Sequence, residues 1–158
     1  MLSTDSLKKI DKAIAKYPAD QRQSAVMAAL TVAQDELGHV PTEVIDFVAG
    51  YLGMPSIAVY EVATFYAMYE LEPVGKHKLC ICTNLPCVLS GAAEAANHLK
   101  HRLGVGWGET TADRRFTLKQ GECFGACGDA PVILHNDKTM LIEMTPDKID
   151  RLLAELPK

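Results

Sequence analysis

The chain has 158 residues, 48% of them hydrophobic and 23% charged, with a formal net charge of −4 and an isoelectric point near 5.7. Such a chain suits one soluble domain or two small ones able to bury a core. The acidic balance argues against a nucleic-acid binder, which must neutralise phosphates. No run approaches the ~18 uninterrupted apolar residues of a membrane span; the longest candidate, Ile57 to Tyr69, is broken by Glu61. The N-terminus carries Asp5, Lys8, Lys9 and Asp11 early, not a basic stretch followed by an apolar one, so no secretory signal is read there.

The first half has helical spacing throughout. Asp5 or Ser6 can cap a helix with Leu7, Ile10 and Ile14 on one face, stopped by Pro18. A second helix is expected from about Asp20, with Val26, Leu30, Ala33 and Leu37 in register and Gly38 as its stop. Pro41 can open a third, with Val44, Ile45, Val48 and Leu52 inward and Gly53 at its end. Pro55 can open a fourth, through about Met68. Four short helices with tight connections read as a small bundle. The pattern changes at Pro73-Val74-Gly75, which places a boundary between a helical bundle over 1–74 and a second domain over 75–158.

In the second half, Lys78 to Cys82 alternates as a strand, and Cys87 to Leu103 reads as one amphipathic helix with Val88, Ala92, Ala95, Leu99 and Leu103 on a face. Phe116, Leu118 and Gln120 alternate with Thr117 and Lys119 as a second strand. Val132–Leu134 and Thr139–Ile142 flank Asn136-Asp137, a hairpin signal. Thr145-Pro146-Asp147 opens a last helix carrying Ile149, Leu152, Leu153 and Leu156. The fold class is therefore α+β. The second domain runs β-α-β and then β-β-α, the thioredoxin-like plan.

Four of the five cysteines form two pairs. Cys82 and Cys87 are spaced Cys-x4-Cys, and Cys123 and Cys127 are spaced Cys-x3-Cys. An odd cysteine count fits a reducing compartment better than a disulfide scaffold. Thiolates from two loops can hold a [2Fe–2S] cluster, two on each iron. Cys82 ends a strand, and Cys87 begins the following helix, where a positive helix end would favour a thiolate. Cys123 and Cys127 lie in the loop after the second strand. Parallel pairing of the two strands would send both loops to the same end. Gly121, Gly125 and Gly128 would let the backbone bend around a bulky core and offer N–H groups to it. Glu122 and Asp129 oppose an added electron, so a low potential is expected, and no histidine stands beside either pair as a Rieske centre requires. Zinc also takes four cysteines, usually at x2 spacing, which leaves a zinc-stabilised interaction module as an alternative. The spacing excludes a Cys-x-x-Cys dithiol. Cys80 reads as a small apolar residue on the Cys82 face of its strand.

Other features are weaker. Gly104-Val-Gly-Trp-Gly108 follows a helix, not a strand, and reads as a loop. Ile45 to Val62 has helix-turn-helix spacing. It lies in a stretch, Pro41 to Glu72, without Lys or Arg, so core packing is the expected use. Tyr51, Tyr60, Phe65, Tyr66 and Tyr69 suit either bundle core or an interface. His39, His77, His98, His101 and His135 show no ligand spacing, and His98 and His101 are expected at the surface.

Val59-Tyr-Glu-Val-Ala-Thr-Phe-Tyr66, the two cysteine pairs, Gly108-Glu-Thr-Thr111 and the Gly-Asp-Ala-Pro131 that follows Cys127 together resemble the small [2Fe–2S] subunit of NADH:quinone oxidoreductase, respiratory complex I, over nearly the whole chain. The resemblance implies that Cys82, Cys87, Cys123 and Cys127 ligate one cluster in a thioredoxin-like domain. It implies that the N-terminal helices help dock a larger subunit that binds NADH, FMN and a [4Fe–4S] cluster. The chain would then be a subunit of an NADH dehydrogenase without a complete active site of its own, with no catalytic residue. Equivalent subunits serve the diaphorase modules of NAD-linked hydrogenases and formate dehydrogenases. The implied location is cytoplasmic, peripheral on the inner membrane of a bacterium. Where many relatives have Asp-Gly after Gly-Glu-Thr-Thr, this chain has Asp113-Arg114 at an expected turn.

Overall fold

A computed structural model of the protein describes residues 2–157. The chain divides into two compact units, Met1–Pro73 and Val74–Lys158.

The first unit is helical. Ser3, rather than Asp5 or Ser6, caps α1 (Thr4–Ile14): its hydroxyl accepts from the Ser6 amide at 3.3 Å. Ser3 is also held in place by the Glu36 carboxylate, which accepts from the Ser3 amide at 2.9 Å and its hydroxyl at 3.0 Å. α2 (Val26–Leu37) begins later than the expected Asp20, because Ala19–Ala25 winds as a 3-10 turn with Gln21 off the helical path. Gly38 ends α2 at φ 81°, a left-handed conformation that costs glycine no Cβ clash. α3 (Thr42–Leu52) buries Ile45, Val48 and Leu52, and α4 (Ser56–Phe65) buries Val59 and Ala63. The segment with helix-turn-helix spacing thus supplies bundle core. α4 stops at Phe65, short of the expected Met68, because Tyr66 turns to extended backbone. The chain then returns Tyr69 to the core, where its hydroxyl donates to the Met27 carbonyl at 2.9 Å. The aromatic residues divide: Tyr69 is buried, Tyr51 half-buried, and Tyr60, Phe65 and Tyr66 are exposed.

The second unit is a four-stranded sheet of β1 (His77–Cys82), β2 (Phe116–Gly121), β3 (Ile133–His135) and β4 (Thr139–Leu141), in the order β2-β1-β3-β4. β1 and β2 run parallel with Cys82 opposite Gly121, and β3 is antiparallel to both β1 and β4. Asn136 and Asp137, at φ 50° and 56°, turn the chain between β3 and β4; the Lys138 amide donates to the His135 carbonyl at 3.1 Å, and His135 pairs with Thr139. Leu79, Ile81, Phe116, Leu118 and Ile133 pack with Ala95, Ala96 and Leu99 of α6 (Ala93–Leu103) and with Ile149 and Leu153 of α7 (Pro146–Glu155). Thr145 caps α7 by accepting from the Lys148 amide, a contact worth about 1 kcal/mol.

The expected single helix from Cys87 to Leu103 is broken. A one-turn α5 (Leu85–Cys87) runs into a π-helical turn over Val88–Ala92, and Ser90 and Gly91 leave helical geometry, Gly91 at φ 95°. Val88, assigned to the buried face, is consequently exposed, with Leu85 and Leu89. Among the described residues no helix is long and apolar enough to cross a membrane.

Candidate metal centre

Parallel pairing of β1 and β2 brings both cysteine loops to one end of the sheet. Cys82 closes β1, and its amide donates to the Val132 carbonyl at 3.0 Å. Cys87 lies five residues on, and both thiols are 2% exposed. The second loop leaves β2 at Gly121, turns through Gly125 at φ 74°, and presents Cys123 and Cys127 on the exposed side. The Gly125 amide donates to Cys123 Sγ at 3.3 Å. Glu143 donates its amide to the Asp129 carbonyl at 2.7 Å, which ties the far end of this loop to the segment before α7.

The electrostatics of Cys87 join the two pairs. Its thiol is pushed up to about 11, first by burial, then by a hydrogen bond with Cys82 and by the nearby charges of Cys82, Cys127 and Cys123. The expected helix-end stabilisation of a thiolate is therefore not what governs this site. α5 is three residues long and gives way at once to the π-turn, so few aligned peptides contribute. At neutral pH Cys87 therefore keeps its proton, which metal binding would displace.

The donors fit a two-iron group. They come as one buried and one exposed pair, from two loops. Open space exists beside the exposed pair: a Cβ built at Gly125 or Gly128 would meet nothing within 4 Å. Gly121 has a different reason from the expected loop bending. A Cβ there would lie 2.4 Å from Phe124 Cζ and 2.9 Å from Cys80 Sγ, so glycine allows close packing against both. Cys80 is half-buried and packs on Gly121, on the Cys82 face of β1.

Two groups of polar residues escaped the sequence reading. Thr83 and Asn84 bond to Gln120, Gly121 and Glu122 across the two loops. His77 and His135 form a pair, with Nδ1 of the first 3.1 Å from Nε2 of the second, and His77 Nε2 reaches the Pro157 carbonyl at 2.8 Å. The carbonyl only accepts, so His77 Nε2 carries a proton. These partners stand 37 to 80 residues apart in the chain, and no local spacing announces them. His98 is half-buried rather than a surface residue, its Nε2 2.8 Å from Asp150. Gly104–Gly108 is a loop, opened by Gly104 capping α6 at φ 65°.

Residues 10–157 match the thioredoxin-like [2Fe–2S] ferredoxin family, and the chain belongs to it. Within it, the chain is similar to subunits of NADH-quinone oxidoreductases. One such subunit from Rhizobium meliloti (strain 1021) is 46% identical over 128 residues, covering 81% of this chain and 75% of the relative. Another, from Thermus thermophilus, is 38% identical over 147 residues, covering 93% of this chain and 81% of the relative. A solved NAD+-reducing [NiFe]-hydrogenase in the air-oxidized state shares the fold, at a TM-score of 0.72 and 23% identity, over 84% of this chain and 23% of that one.

Proposed function

We propose that the chain carries one [2Fe–2S] cluster on Cys82, Cys87, Cys123 and Cys127 and moves single electrons in the NADH-oxidising module of an NADH:quinone oxidoreductase. The observation that carries this reading is the parallel β1–β2 register, Cys82 opposite Gly121, which delivers both cysteine loops to one end of the sheet. Bound there, the cluster supplies reversible one-electron chemistry. The protein's own part is to exclude water from the Cys82–Cys87 side, to release the Cys87 proton on loading, and to direct the Gly125 amide at Cys123 Sγ. Glu122 and Asp129, next to the exposed pair in sequence, oppose added negative charge and favour a low potential.

The partner in this reading is a larger subunit that binds NADH, FMN and a [4Fe–4S] cluster, docked in part by the unit Met1–Pro73. The assembly would sit peripherally on the cytoplasmic side of a bacterial inner membrane. Relatives at 38–46% identity favour the quinone-linked enzyme over a hydrogenase module, to which the likeness is one of fold. The test is anaerobic purification with visible absorption and low-temperature EPR before and after dithionite. Bleaching charge-transfer bands and a rhombic S = 1/2 signal are expected. A colourless, EPR-silent protein with stoichiometric zinc would refute the electron-transfer reading.

A further inference from the structure

The β1–β2 ladder ends where the two cysteine loops part, and side chains hold that fork closed. Thr83 follows Cys82 directly. Its amide and its hydroxyl both donate to the Gly121 carbonyl, at 3.2 and 3.3 Å. The same hydroxyl accepts from Gln120 Nε2 at 3.0 Å. One hydroxyl thus uses its proton and a lone pair on the last two residues of β2. Asn84, next along, donates to Glu122 Oε2 at 3.3 Å, immediately before Cys123.

We infer that Thr83 is a positioning residue that sets the separation of the Cys82–Cys87 pair from the Cys123–Cys127 pair by locking Gly121 and Gln120 to the first loop. The inference rests on the reading that these cysteines hold a [2Fe–2S] cluster. The physical argument is leverage. The register fixes Cys82 against Gly121; past it the ladder stops, and the contacts of Thr83 and Asn84 join the two strands of the fork. A small rotation at the fork is carried outward to Cys87 on one side and to Cys123 and Cys127 on the other. A rigid core bridging both pairs tolerates little of that. Groups that orient ligands without touching the metal typically change affinity about 10–100-fold when removed.

Thr83→Val isolates the effect. Valine has nearly the same shape and keeps the Thr83 amide bond to Gly121, while both hydroxyl bonds go. Gln120 is exposed, so its amide turns to water and no buried donor is orphaned. The experiment uses the full chain, reconstituted anaerobically, as wild type, Thr83→Val, Thr83→Ser and Gln120→Leu. Thr83→Val is expected to lose its cluster to a chelator about tenfold faster, the low end of such effects, and to shift the g-values of the reduced cluster. Thr83→Ser restores both, and Gln120→Leu falls between. Wild-type g-values and an unchanged loss rate in Thr83→Val overturn the inference. Should that variant fail to fold, Gln120→Leu carries the test alone, because its side chain lies at the surface, and an unchanged loss rate there overturns it equally. A wild-type chain that takes up no [2Fe–2S] cluster removes the functional reading, and this inference with it. That result is read from the wild type alone and is distinct from failure of the Thr83 role.

Discussion

Replacing Gly121 with alanine tests whether close packing at the end of β2 shapes the metal centre. The new methyl would lie 2.4 Å from Phe124 Cζ, 2.9 Å from Cys80 Sγ and 3.1 Å from the Ile81 carbonyl oxygen. Comfortable carbon contacts lie at roughly 3.5–4.0 Å, so something must move by an ångström. The Phe124 ring can swing and the Cys80 thiol can change rotamer, but the Ile81 carbonyl belongs to β1 and cannot. Overpacking of this kind costs about 1–3 kcal/mol. Taking about 2 kcal/mol, the melting temperature should fall by roughly 4–8 °C for a chain of this size. Calorimetry on Gly121→Ala, Phe124→Leu and the double variant measures it. Leucine removes the atom nearest the new methyl, so the double variant should recover about 1 kcal/mol relative to additivity. A Gly121→Ala protein that melts within about 1 °C of wild type, or costs that add without coupling, would refute the packing argument.

Cys123→Ala should destroy the normal cluster and Cys80→Ala should leave it intact, as read by iron and sulfide content and EPR; a folded Cys80→Ala protein without cluster would overturn that ligand assignment. Arg114 sits at φ 55°, where Arg114→Gly should relieve about 1 kcal/mol of left-handed strain against glycine's greater freedom when unfolded, for a net gain of about 0.5 kcal/mol and 1–2 °C in a melting experiment. His135 is held below its ordinary value by burial and then by the charge of His77. The unfolded chain therefore binds its proton first as pH falls, so this contribution to stability is present above about pH 6.5 and is lost on acidification through the folded value. Melting curves from pH 7 to 5.5 should fall less steeply in His135→Gln than in wild type; parallel curves would show that the histidine pair plays no part.

Much of the fold follows from periodicity within short windows. α3, α7 and the Asn136-Asp137 hairpin lie where spacing and turn chemistry place them, because caps, prolines and left-handed positions act within four or five residues. The break after Cys87 was written locally too, in Ser90-Gly91, but the apolar stripe from Ala92 to Leu103 overrode it in a reading that weighs period above a single glycine. α1 shows a different limit. Asp5 and Ser6 are acceptable caps on local grounds, and Ser3 takes the role because Glu36, 33 residues away, holds it there.

The sequence by itself determined the candidate donors and the family: thiols at x4 and x3 spacing are a property of the chain, and residues 10–157 match the family. Only the tertiary structure decided how those donors stand. Which pair is buried, why Gly121 has no side chain, and how Thr83 closes the fork depend on residues brought together across the β1–β2 crossover. The same is true of the proton on Cys87, which is held by burial and by three other sulfurs rather than by its place at a helix start. Contacts between distant residues leave no periodic trace, and desolvation exists only once the chain has closed around the group.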